Sequence, residues 1–346
     1  MNFTIQIKIF IVILAVASFS CSTVNKSTIE TIRDGRYDVG FPINGSSDVF
    51  DDISKSIKLV NSIAFYKKYS FPANSKIKLE NISTNLLTDY QTSVSTFNKS
   101  ASGTATIISV SGNKVLLLTC AHILSFPDTM ISYFSYESGI KSDYIESISI
   151  KVDQSNFTSF TESGNTQIIL FNKELDIALL TGNVKIPLSN DLSVFRYSWG
   201  NSDELTWGNF VYVFGFPLHN KSIVSGIVSK PELENKKNFV VDVSVNRGSS
   251  GGIVLALRDG FPNLELVGII SWVPAEKFFF LKPQDLQNEK QYQSEAKYSG
   301  EIFIGETENI KYGITKAVAI NSVKELLKKN RSLLLNNGFN VDEIIR

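Results

Sequence analysis

The stretch Val245-Asn-Arg-Gly-Ser-Ser-Gly-Gly-Ile253 restricts what this chain can be more than any other. A serine with one glycine two residues before it and two glycines after it marks a tight turn. The glycines allow backbone angles barred to other residues and leave the Ser250 hydroxyl uncovered. They also let successive backbone N–H groups face one small concavity, where a developing oxyanion could sit. Taken alone, the pentapeptide is as well read as an ordinary Gly/Ser turn between strands. A nucleophilic serine needs a base, and the chain has two histidines to offer, His122 and His219.

Composition sets the outer limits. With 346 residues, 43% of them hydrophobic, the chain can bury a large core in one or two domains. Its formal net charge is zero, which argues against a nucleic-acid partner and against a polybasic face for a membrane. Short runs rich in Val, Ile, Phe and Tyr, broken by Gly, Asn and Ser, predict a mostly β protein. The two cysteines, Cys21 and Cys120, exclude a disulfide framework and a multi-cysteine zinc site. No cofactor and no metal are expected.

Residues 1–20 hold an apolar run, Ile9-Phe-Ile-Val-Ile-Leu-Ala-Val-Ala-Ser-Phe19, too short to span a bilayer comfortably and of the right length for an export signal. Two processing routes fit it. Ala15-Val-Ala17 suits ordinary signal-peptidase cleavage, while Cys21 after Ser20 resembles a bacterial lipoprotein box with Cys21 as the lipidated residue. Residues 21–52 read as a polar tether, and the folded body is expected from residue 53. Residues 67–102 read as a surface excursion. Two strands flanking Ser111-Gly-Asn-Lys114 then form a hairpin signal.

That hairpin leads into Thr119-Cys-Ala-His122, where His122 ends an apolar strand. Cys120 reads as buried packing rather than a nucleophile. Asp176 stands in Glu174-Leu-Asp-Ile-Ala-Leu-Leu180, and an ionised carboxylate in such a run must be paired or hydrogen-bonded. His219, in Pro217-Leu-His-Asn220, reads as an exposed loop residue outside catalysis. Residues 274–310 look like an insertion between late strands. A helix over 320–337 is predicted from its apolar face, with Asn321 or Ser322 as cap and Gly338 as stop.

These residues together resemble the trypsin-like serine peptidases of chymotrypsin fold, and within them the bacterial HtrA-type branch. The segments TCAH, DIALL and GSSGG occur in the family's order of His, Asp and Ser. Phe214-Gly-Phe-Pro217, Ser225-Gly-Ile-Val-Ser229, Gly268-Ile-Ile-Ser-Trp272 and Val318-Ala-Ile-Asn-Ser-Val323 support the match, which extends over roughly residues 53–336. The resemblance implies two six-stranded antiparallel β-barrels, residues 53–195 and 196–319, with a C-terminal helix. It implies a catalytic triad of His122, Asp176 and Ser250, and an oxyanion hole from the N–H groups of Gly248 and Ser250. Ser244, Ser271 and Trp272 fall at substrate-pocket positions. The expected activity is endopeptidase action on a polypeptide substrate through an acyl-enzyme, by an exported protein of the bacterial cell envelope, lipid-anchored or free.

The departures from the family pattern carry information too. Arg247 and Ser249 replace the proline and asparagine common in the HtrA-type turn. Ser249 also stands where digestive-type enzymes carry an aspartate that pairs with a newly cut N-terminus. Activation by N-terminal insertion is therefore not expected, and deletion of residues 22–50 is expected to leave activity intact. After the closing helix the chain has no room for a PDZ domain. Without an acid at Ser244, a small-to-medium apolar side chain is the expected preference, with residues 274–310 as a rim to the cleft or a plain surface loop. The competing reading is an inactive peptidase-fold lipoprotein that serves as a binding or scaffold protein, with Arg247 as the residue to suspect.

Overall fold

Twelve of the described strands close into two six-stranded barrels, each with one further strand outside the ring. The computed structural model describes residues 33–40, 47–82, 87, 93–136, 140–162, 164–187, 189–190, 192–272, 275–283, 297, 300–310 and 313–345. The hydrophobic run at 9–19 and Cys21 lie outside the described residues. Met1–Asp34 is set apart as a unit of its own, and everything below concerns Gly35–Arg346.

The first barrel follows a short amphipathic helix, α1 (Ser47–Ser56). Its strands are β1 (Ile57–Ser70), β2 (Ser93–Ser111), β3 (Lys114–Thr119), β4 (Thr129–Ser135), β5 (Lys141–Phe157), β6 (Asn165–Asn172) and β7 (Ile177–Asn183). They run in the order β1-β2-β3-β7-β6-β5, closed by pairing of β1 with β5, with β4 added outside on β5. Closure removes the free sheet edges that would otherwise invite association. Leu116, Leu117 and Leu118 of β3 are wholly buried, which is why this strand is continuously apolar rather than alternating.

The second barrel uses β8 (Ser198–Trp199), β9 (Phe210–Gly215), β10 (Ser222–Leu233), β11 (Asn238–Asp242), β12 (Ile253–Leu257) and β13 (Leu264–Trp272). Next in the chain come β14 (Ala275–Pro283) and β15 (Ile302–Ile310), which pair only with each other, and then β16 (Thr315–Ala319). The ring β12-β9-β10-β11-β16-β13 closes by pairing of β12 with β13, and β8 lies parallel to β13 outside it. The two six-stranded antiparallel barrels of the sequence reading are therefore present.

The closing helix is present as α2 (Ile320–Lys329), followed by α3 (Arg331–Asn336) and α4 (Val341–Ile344). Val323, Leu327 and Leu334 join the core cluster that contains the leucines of β3. The cap differs from expectation: the first residue before the helix is Ala319, with no side-chain cap. Asn321 instead gives its side-chain N–H to Asn201 Oδ1 at 2.7 Å. Gly338, at φ +93°, ends the helical segment as expected.

Two other stretches are more ordered than their composition suggests. The excursion expected at 67–102 is strand at both ends, 67–70 and 93–102, because β1 pairs with β2 without interruption from Ile57↔Thr106 to Ser70↔Ser93. Its polar residues mark an exposed ribbon, not a lack of structure. Within the stretch read as a tether, Tyr37 is buried and forms an isolated bridge with Arg258. Asp38 N–H donates to the Leu257 carbonyl, and Phe210 N–H donates to the Asp38 carbonyl. The Tyr37 hydroxyl donates to Glu265 at 2.8 Å and accepts from Asn201 N–H at 2.9 Å. The Arg258 guanidinium lies 4.1 Å from the centre of the Tyr37 ring and bonds Glu265 and Glu204. A single buried aromatic thus makes this polar segment part of the second barrel, and deletion of residues 22–50 is no longer expected to be harmless.

Candidate active site

His122 follows β3 in a short turn, Ala121–Leu124, whose apolar side chains are buried and so fix the direction of the chain. Asp176 ends the turn between β6 and β7 at φ +59°, a left-handed conformation that aspartate tolerates better than most residues. Antiparallel pairing of β3 with β7 sets Thr119 opposite Ala178, so the two strand ends bring His122 and Asp176 together.

The contact between them is double. Asp176 Oδ2 lies 2.8 Å from His122 Nδ1, and Asp176 Oδ1 accepts the His122 backbone N–H at 2.8 Å. The Ser271 hydroxyl adds a third bond to Asp176 Oδ2 at 2.5 Å. Burial pushes the Asp176 carboxyl up, but the His122 ring, the Ser271 hydroxyl and the His122 N–H outweigh it and hold the carboxyl below its usual range. This arrangement leaves His122 Nε2 as the ring nitrogen available to a reacting group.

Ser250 sits in the glycine turn between β11 and β12. Its hydroxyl donates to the Ser271 carbonyl at 3.1 Å and makes no hydrogen bond to His122. Gly248 has φ +97°, and a Cβ there would fall 2.3 Å from the Phe216 carbonyl oxygen, so only glycine fits. The carbonyls around it are all engaged: Arg247 O accepts from Leu218 N–H at 2.8 Å and Ser250 O from Thr104 N–H at 2.7 Å. Gly248 O accepts from the Thr104 hydroxyl at 2.8 Å. Among the described residues the N–H groups of Gly248 and Ser250 donate to no acceptor. Arg247, suspected of collapsing the turn, therefore has its carbonyl held away from that pair of donors.

Thr104 is a residue that the sequence reading passed over. It lies on β2 of the first barrel, yet its N–H and hydroxyl both bond the turn of the second, and its hydroxyl also accepts Phe216 N–H at 2.9 Å. The only signal was a threonine after Gly103, too common a pair to single out.

The remaining predicted residues divide. Ser271 meets the site through its hydroxyl on Asp176 and its carbonyl on Ser250. Ser244 is exposed in the segment before the turn, and no hydrogen bond joins it to the three residues. Trp272 ends β13 and pairs by its backbone with Lys316; its side chain is outside the described ones. His219 lies in the turn after Pro217 with φ +64°. Ser249 is buried, and its hydroxyl has no partner among the described residues.

Cys120 is wholly buried, and its thiol donates to the Ile270 carbonyl at 3.2 Å. Burial and the neighbouring Asp176 charge push the thiol well above its ordinary value, the opposite of what a nucleophile needs. Donor atoms of Cys120, His122 and Asp176 lie within 4.8 Å of one another. They are engaged with each other and with the Ile270 carbonyl.

Residues 103–269 match the family model of the trypsin-like peptidase domain. A stretch of 112 residues is 34% identical to the periplasmic pH-dependent serine endoprotease DegQ of Escherichia coli (strain K12), covering 30% of this chain and 22% of that relative. The chain thus spans about a fifth of the length of the curated relative it matches. Among solved structures, an alanine variant of the HtrA-type protease AlgW with decapeptide aligns over 86% of this chain and 68% of its own, at 16% identity and a TM-score of 0.42. The serine endoprotease from Yersinia pestis aligns over 85% and 69%, at 14% identity and a TM-score of 0.39. With two closed six-stranded barrels and the match over residues 103–269, the chain carries a trypsin-like serine peptidase domain.

Proposed function

We propose that the chain is an exported serine endopeptidase that cleaves polypeptides through an acyl-enzyme, with Ser250 as nucleophile, His122 as general base and acid, and Asp176 as the group that orients the imidazole. The observation that carries this reading is a pairing of two features. The imidazole is held through Nδ1 by a part-buried carboxylate at 2.8 Å, while the N–H groups of Gly248 and Ser250 in the serine turn have no acceptor among the described residues.

The steps follow from that arrangement. The Ser250 hydroxyl turns from the Ser271 carbonyl towards His122 Nε2 and attacks the scissile carbonyl carbon as its proton passes to the ring. The Asp176 carboxylate stabilises the imidazolium that results. The oxyanion takes the N–H groups of Gly248 and Ser250, each such donor typically contributing about 3 kcal/mol. The tetrahedral intermediate collapses, the imidazolium gives its proton to the leaving amine, and water, activated by the same ring, then hydrolyses the ester.

Ser244, Ser271 and Trp272 remain the proposed borders of the pocket for the residue before the scissile bond. A small-to-medium apolar side chain is the proposed preference, because none of the three brings an acid. Export to the cell envelope rests on the apolar run at 9–19, with Cys21 as a lipidation site or Ala17 as a cleavage site. The periplasmic name of DegQ agrees with that location. No helix among the described residues is long and apolar enough to cross a membrane.

Incubation with unfolded casein tests the reading, with product termini identified by mass spectrometry. Cleavage by the wild type, abolished in Ser250→Ala and His122→Ala, is expected. Equal cleavage by all three would contradict it.

A further inference from the structure

β2 changes partner along its 19 residues. It pairs with β1 from Ser93 to Thr106 and with β3 from Thr106 to Ser111. The other side of β1 is taken by β5. Before β3 joins, the side of β2 that faces away from β1 is therefore a sheet edge.

Thr104 shows where that edge points. Its N–H donates to the carbonyl of Ser250 at 2.7 Å, and its own carbonyl accepts the Thr119 hydroxyl at 2.7 Å. Both groups thus point away from β1. Backbone direction repeats every second residue in a strand, and the β1–β2 register runs without a bulge. The N–H and carbonyl groups of Ser102, Ser100, Asn98 and Thr96 hence point outward as well. Among the described residues no strand and no backbone hydrogen bond engages these outward groups.

Proteins usually guard such an edge by keeping it short or by placing proline, bulges or several charges on it. This one does none of these: residues 93–102 hold no proline and one charge, Lys99. Thr96, Asn98 and Ser100 are exposed. An undefended edge offers its backbone groups to an added strand.

The edge begins at the candidate site, because the Thr104 N–H lies on the carbonyl of the nucleophile itself. From Thr104 to Thr96 it runs for eight residues, about 27 Å. The chemistry fixes which half of a substrate it receives. The acyl half stays bonded to Ser250 on the second barrel, whereas the amine half leaves with a proton from His122 on the first. β2 belongs to the first barrel.

Resting on the peptidase reading above, we propose that the outer edge of β2, through the backbone groups of Ser100, Asn98 and Thr96, docks the leaving half of the polypeptide substrate as one more antiparallel or parallel strand. The edge reads backbone, so it tolerates many sequences but requires an extended stretch of about eight residues beyond the cut bond. Flexible or unfolded chains meet that requirement, and bonds close to a substrate's C-terminus do not.

The test uses peptides copied from a casein bond that the full chain cuts, with two, four, six or eight residues after that bond. In the wild type kcat/KM is expected to rise by about tenfold or more from the shortest to the longest, as added backbone hydrogen bonds form. Ser100→Pro and Asn98→Pro each remove an outward N–H without touching the β1 ladder, and the rise should fall to about twofold or less. A second measurement needs no variant. In the longest peptide, N-methyl groups go on alternate amides from the fourth residue after the bond, in one phase or the other. One phase should lower kcat/KM by about tenfold and the other should leave it within about twofold, because only every second amide faces the edge.

A wild type with no length dependence overturns the proposal, and so do equal effects of the two methylation phases. A length dependence that survives both proline variants overturns it too. A dimer that Ser100→Pro converts to monomer, with the length dependence intact, would make the edge a contact between copies and overturn it likewise. Fluorophosphonate labelling separates this from the peptidase reading. Labelling without length dependence removes the docking edge alone; absent labelling or uncut casein removes the peptidase reading and the proposal with it.

Discussion

The hydroxyl of Thr104, on the first barrel, donates to the carbonyl of Gly248, on the second, at 2.8 Å. The bond points the Gly248 carbonyl away from the neighbouring N–H donors, and the same hydroxyl accepts Phe216 N–H. Thr104→Val keeps the shape but leaves both groups without a partner, a cost of about 1–3 kcal/mol. The expected result is a loss of about tenfold or more in kcat with little change in KM, because the donors act on the oxyanion. Thr104→Ser should restore the rate. Steady-state kinetics on a peptide ester measures both, and a pure KM effect would speak against the role.

Gly248 offers a harsher test of the same turn. Its φ of +97° and the 2.3 Å approach of Phe216 O leave no space for a methyl group. Gly248→Ala should displace the turn and lower kcat by about 10²–10³-fold, the usual consequence of losing one oxyanion donor. Both barrels should still fold, which circular dichroism would verify. Near-normal kinetics would mean that the Gly248 N–H is not used.

Asp176 ties acid stability to the site. Its carboxyl is held below the usual range in the folded protein, so its stabilising contribution is fully present above the unfolded value and fades as pH falls through the lower folded value. The stability gap between wild type and Asp176→Asn should therefore be widest near neutral pH and narrow below about pH 4, the ordinary aspartate range. Urea unfolding at a series of pH values measures the gap. A gap that widens on acidification has the wrong sign.

Tyr37 binds the N-terminal arm to the second barrel. Tyr37→Phe removes the hydroxyl between Glu265 and Asn201 and should cost about 1–3 kcal/mol. Tyr37→Ala also opens a cavity under Arg258 and should cost about 3–5 kcal/mol. Burial raises the phenol well above its ordinary value, so the Tyr37 ring should stay un-ionised at alkaline pH until the protein unfolds. Thermal unfolding of the two variants would show the order; a Tyr37→Ala protein as stable as wild type would return the arm to the status of a tether.

Much of this arrangement was legible in the residues. The TCAH, DIALL and GSSGG segments pointed to His122, Asp176 and Ser250 as candidates because each couples a reactive side chain to a local pattern: an apolar strand end, an acid in an apolar run, a glycine turn. The mostly β class was legible in the frequent strand runs between turn signals, whereas the two barrels were expected only through the family resemblance. What stayed hidden depended on partners remote in the chain. Thr104 bonds residues 112 and 144 positions away, and Tyr37 bonds Glu265 at a separation of 228. Polar strands misled the reading as well. Residues 93–100 are exposed ribbon, where solvent rather than coil accounts for their serines and asparagines.

Active-site labelling tests the central claim most directly. The purified full chain, incubated with a fluorophosphonate probe, should become labelled at Ser250, and Ser250→Ala should show no labelling. A folded wild type that resists the probe would contradict the assignment of Ser250, His122 and the Gly248–Ser250 donors as one working site.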